Sequence, residues 1–117
     1  MATLTAQKIT DLGVVETLSS ATSGGDSFVN SGVEFLHVQN DHSGPLIVTI
    51  TAQVTNIHHQ TFGSVTKKNI VYTIAADNSV FIGPFKQSAF NDANHKVQIT
   101  YNAVTSLKVA VLYLDQQ

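Results

Sequence analysis

The chain contains no cysteine, no tryptophan and no arginine. Without cysteine there are no disulfides and no thiolate metal ligands, and the redox compartment is left open. Arginine is the side chain that reads phosphates and guanine edges with two donors at once. Its absence, with six lysines against eight carboxylates and a net charge of -2, argues against a nucleic-acid partner. The lack of tryptophan weakens a carbohydrate-binding reading, since flat aromatic platforms are usual in such modules.

Charge of either sign is scarce. Charged residues make up 12% of the 117 positions, against roughly 25% in ordinary soluble domains. No apolar run approaches the roughly 18 residues of a membrane-crossing helix, so no membrane partner is expected. The opening Met1-Ala2-Thr3-Leu4-Thr5 has neither a charged segment nor an apolar one to serve as a secretion signal. The expectation is a protein made in a cytoplasm and soluble until it is assembled into something larger. The length suits one domain, with residues 1–10 as an N-terminal strand or arm and 11–117 as a β-sandwich.

What the chain does have is alternation. Val97, Ile99 and Tyr101 interleave with Lys96, Gln98, Thr100 and Asn102, and Leu46, Val48, Ile50, Ala52 and Val54 with Ile47, Thr49, Thr51 and Gln53. Ile70, Tyr72 and Ile74 repeat the pattern. A period of two marks strands with one dry face. Between the strands lie turn formers: Asn40–Pro45, Ala76-Asp77-Asn78 and Asn102–Thr105 read as three hairpin connections. Gln87–His95 reads as a loop with one helical turn, and Gly24-Gly25-Asp26 as a turn. Together these predict an all-β chain of about eight antiparallel strands in a sandwich or small barrel.

No catalytic constellation emerges. His58 and His59 are adjacent and would point to opposite faces of a strand, His42 and His95 fall in loops, and no His-x-His or His-x₃-His spacing exists. His37 lies in an apolar strand and reads as a packed or interface residue. Asp26, Asp41, Asp77 and Asp92 fall in predicted turns, where a carboxylate caps backbone N–H groups. No phosphate-binding loop or nucleophile motif is present. The reading is of a protein that is not an enzyme and needs no cofactor or metal.

Contact residues are sought where apolar side chains lack an obvious core position. Leu4 and Ile9 lie among Thr and Gln in the N-terminal segment, which is either an edge strand or an arm that pairs with a neighbour. Leu112 and Leu114 make the end of the last strand, Leu107–Leu114, apolar on both faces, so a neighbouring subunit is the expected second cover. Phe62 is flanked by polar residues in a loop. The other aromatics, Phe35 and Phe81 among them, read mostly as core.

Several runs resemble capsid decoration (cement) proteins of tailed bacteriophages. These are Gly24-Gly25-Asp26-Ser27-Phe28-Val29-Asn30-Ser31-Gly32 with Phe35–Asn40, Ile82-Gly83-Pro84-Phe85 with Phe90-Asn91-Asp92, Val97–Tyr101, and Ala103–Ala110. The likeness spans residues 3–114, with 56–68 unmatched as a variable loop. The resemblance implies a jelly-roll-like sandwich, no catalytic residues, and a virion location on the outer capsid surface. It also implies the major capsid protein as partner, and a homotrimer by analogy. The alternatives are another virion part, such as a tail, baseplate or fibre-associated sandwich, or a carbohydrate-binding module.

Overall fold

The structure, a computed structural model, describes residues 2–10, 13, 16–53, 56–59, 63–66 and 68–114. It is an all-β sandwich of two five-stranded sheets, with a separate two-stranded ladder. The strands are β1 (Ala2–Leu4), β2 (Ala6–Ile9), β3 (Ser19–Ser20), β4 (Asp26–Val29), β5 (Glu34–Asn40) and β6 (Leu46–Ile50). They continue with β7 (Asn56–His59), β8 (Gly63–Thr66), β9 (Ile70–Ile74), β10 (Ser79–Ile82), β11 (Lys96–Tyr101) and β12 (Leu107–Leu114). A single helical turn, α1 (Gln87–Phe90), sits in the predicted loop.

The first sheet runs β1-β4-β11-β6-β9. The second runs β10-β5-β12-β2, with β3 also paired to β12. Four antiparallel pairs, β3 with β12, β4 with β11, β5 with β10 and β6 with β9, nest within one another along the chain. This is one long hairpin of strands wrapped around a core, the jelly-roll topology.

The wrapping corrects the three predicted hairpins. Asn40–Pro45 joins β5 to β6, Ala76-Asp77-Asn78 joins β9 to β10, and Asn102–Thr105 joins β11 to β12; each pair lies in different sheets. The connections are arches between layers, and turn chemistry alone cannot tell an arch from a hairpin. Among the described residues β7–β8 forms a local hairpin, inside the expected variable loop. Two further corrections concern strand number and direction. The sandwich has ten strands rather than eight, because residues 2–20 supply three. The sheets are mixed rather than purely antiparallel, because β1–β4 and β2–β12 are parallel.

The alternation places the core as predicted in most strands. Leu46, Val48, Ile50, Val97, Ile99, Leu107, Val109 and Val111 are buried, with Leu36, Val38, Phe28, Phe85 and Phe90. Tyr72 departs from the pattern and is about half exposed, since β9 ends its sheet with no neighbour beyond it among the described residues.

Residues 2–9 pair inside the chain, β1 with β4 and β2 with β12, so one segment stitches an edge of each sheet. Gln7 locks the return segment in place: its Nε2 donates to Thr17 O at 2.9 Å and its Oε1 accepts from Thr17 N–H at 2.8 Å.

Candidate interaction surface

The outer face of the second sheet carries an apolar patch. With Leu36 and Val38 turned inward, alternation turns Phe35 and His37 out. The register sets Phe35 opposite Leu112 and His37 opposite Ala110, with Phe81 on the other side of His37 and Leu114 opposite Ile9. Ile9, Glu16, Phe35, Phe81 and Leu112 line a groove of about 490 Å³. Phe81 is 61% exposed and Leu114 59%. Among β-branched, leucine and aromatic side chains such exposure carries a cost that a partner surface would remove.

The groove has a rigid polar floor. The His37 imidazole stacks on Phe81, and Phe35 meets Phe81 edge-on with ring centroids 6.0 Å apart. His37 Nδ1 lies 2.7 Å from Glu16 Oε1, an ion-pair distance that falls short of hydrogen-bond geometry. The other carboxylate oxygen, Oε2, is buried without a hydrogen-bond partner among the described residues.

Of the predicted contact residues, the structure brings Ile9, Leu112 and Leu114 to this face. Leu112 is only 3% exposed within the single chain, so it needs no neighbouring subunit to cover it; Ile9, Glu16 and Phe35 share its groove. Leu4 lies on the other sheet, half-buried and packed against the core. Phe62 lies outside the described residues. Phe35 and Phe81, expected in the core, face outward. Three of the four residues of β10, Ser79-Val80-Phe81-Ile82, are apolar, so alternation alone does not say which pair faces in.

The remaining polar groups are structural. Asp26, expected in a turn, is a fully buried strand residue: its Oδ2 accepts from Tyr101 Oη–H at 2.8 Å and from Thr22 N–H at 3.1 Å. Burial, and then the bond to Asp26, push the Tyr101 phenol above its ordinary range. Asn40 is buried and its Nδ2 donates to the carbonyls of Gly44 and Ile74, pinning two arches together. Asn30 and Asn91 bond each other reciprocally and hold α1 to the β4–β5 turn. Asp92 is a loop cap as predicted: the backbone N–H of Lys96, the Gln98 amide and the N–H of Asn94 hold its carboxyl below the usual range.

His42 closes its own loop by accepting from Gly44 N–H at 3.0 Å, His95 occupies a turn with φ of 62°, and His58 and His59 are neighbours in β7. Among the described residues no three His, Asp or Glu side chains group as metal ligands, and no helix is long and apolar enough to cross a membrane. Searches against family models, curated proteins and solved structures returned no match to the chain.

Proposed function

We propose that this protein is a structural component of a virus particle, a decoration protein that seats on the outer surface of a tailed-phage head and holds neighbouring major capsid proteins together. The observation that carries this reading is the row of Ile9, Phe35, Phe81 and Leu114 on one sheet face of a chain with so little charge. A surface of that kind suits docking into an assembly. The reading also draws on the resemblance in short runs across residues 3–114, on the jelly-roll sandwich, and on the absence of any recognised catalytic motif.

In this role the chain works by burial rather than by chemistry. Each contact is modest, and many copies acting together supply the strength. A homotrimer at three-fold positions is the proposed form, and the virion the proposed location. The test is copy number in purified particles: hundreds per particle support a head decoration protein, and a few to some dozens point to a tail or baseplate part. Particles that lack the chain altogether overturn the proposal. A carbohydrate-binding role is the second reading, favoured by the exposed Phe81 ring beside Glu16; saturable sugar binding by the isolated chain would select it.

A further inference from the structure

Strand β9 ends the first sheet, and its outer edge is unguarded. Thr51 N–H donates to Gln98 O and Asn102 N–H to Ile47 O, so the odd-numbered residues along β6 turn their main-chain groups toward β11. The even-numbered ones, Leu46, Val48 and Ile50, turn theirs toward β9, where they meet Ile74, Tyr72 and Ile70. The N–H and C=O groups of Val71 and Thr73 therefore point away from the sheet, with no strand beyond them among the described residues. Natural edges are blunted by lysine, proline or a bulge. Residues 70–74 contain neither lysine nor proline, and their register with β6 runs unbroken through the strand. Val71 is 62% exposed. Tyr72 shares the core-facing side with the buried Ile74, yet is 46% exposed at this open rim.

We infer that β9 pairs with β9 of a second copy of this chain, antiparallel, about a two-fold axis at Tyr72. That register sets Val71 opposite the partner's Thr73 and Thr73 opposite the partner's Val71. All four outward main-chain groups of each strand then find a partner. Tyr72 meets the partner's Tyr72 in the closer, non-hydrogen-bonded kind of pair, which covers both rings. Charge agrees with the same register. Continued past the strand ends, it brings Lys68 beside the partner's Asp77, and Asp77 beside the partner's Lys68. Both side chains are exposed, and among the described residues neither joins an ion pair. A parallel pairing would instead bring the two copies of Lys68 together, which like charges oppose. The two-fold pair closes both edges, so the contact stops at two copies. It uses the edge of the first sheet rather than the Phe35–Phe81 patch, and it goes beyond the proposed function without resting on it. A trimer closed through other surfaces would be linked to its neighbours here.

The chain has no cysteine, so single introduced thiols report the pairing cleanly. In this register Tyr72→Cys sets its two thiols across the axis with Cα atoms about 4.5 Å apart, within disulfide reach. Val71→Cys sets them on a diagonal of about 7–8 Å, beyond it. The full chain at micromolar concentration is oxidised with glutathione disulfide and read as linked pairs on a non-reducing gel, with circular dichroism to confirm folding. Tyr72→Cys should link at least about tenfold faster than Val71→Cys. Adding Val71→Lys to Tyr72→Cys should slow linking at least about fivefold, because the charge guards the edge. Should Tyr72→Cys fail to fold, Val71→Cys and Thr73→Cys chains are mixed; both positions are exposed. They should link to each other faster than either links to itself, since these residues face each other at about 5.5 Å. Equal rates across positions, no effect of Val71→Lys, or no linked pairs overturns the inference. The location of the chain on particles is measured separately: unlinked chains found on particles defeat only this inference, and linked pairs never found on particles defeat only the proposed function.

Discussion

The imidazole of His37 lies nearly flat against the ring of Phe81, with centroids 4.3 Å apart and planes 18° from parallel. The stack joins a central strand to an edge strand on the outside of the sheet, where packing against the core cannot hold Phe81 in place. It fixes an exposed ring in one orientation, which lowers the ordering cost of binding it.

Phe81 is therefore expected to matter more for attachment than for folding. Phe81→Ala should lower stability by about 0.5–1.5 kcal/mol, the worth of an aromatic pair at a largely exposed site. Occupancy on particles should fall much further. Urea unfolding and particle binding, measured on the same variant, check this; a large stability loss with unchanged occupancy would count against the surface.

Tyr101 and Asp26 set the alkaline limit. The phenol's pKa is raised in the folded state, so the folded chain holds this proton more tightly than the unfolded chain. The stability it contributes is fully present below the ordinary phenol value of 10.0 and is lost as pH rises above it. Tyr101→Phe should cost about 1–3 kcal/mol at neutral pH, because Asp26 loses a donor. The gap between wild type and variant should narrow above about pH 10, as read from urea midpoints between pH 8 and 11.

Gly24 and Gly25 are neighbours with φ of 92° and 107°, but they should not respond alike. A Cβ at Gly24 meets nothing within 4 Å, so Gly24→Ala should cost about 1 kcal/mol of backbone strain. A Cβ at Gly25 would collide with the Ile99 carbonyl oxygen in the adjacent strand β11. Gly25→Ala should add displacement of that strand and cost more than about 3 kcal/mol. Thermal melting of the two variants distinguishes them.

Deleting residues 1–9 should damage the fold itself. From the sequence the segment could have been an arm for a neighbour, and its loss would then leave the sandwich intact. Here it pairs with β4 and with the central strand β12, and Gln7 holds Thr17. Losing several backbone bonds at about 0.5–1.5 kcal/mol each should lower the melting temperature clearly. An unchanged melting curve would show that these pairings do not hold in solution.

The all-β class, the dry faces of β6, β11 and β12, the single turn at 87–90 and the cap at Asp92 were legible in the residues themselves. Each follows from local causes: period-two alternation, or a short side chain reaching a nearby N–H. Of the surface, Ile9, Leu112 and Leu114 were legible as apolar residues without an evident core.

What only the tertiary structure decided is which strands face which. Asn40–Pro45 carries the chain across to the other sheet, though its composition would serve a hairpin equally well. Register then turns Phe35 and Phe81 outward beside His37, brings Glu16 across from 21 residues earlier in the chain, and buries Asp26 beneath Tyr101. Alternation states that two faces differ; it takes the partner strands to say which of them meets water.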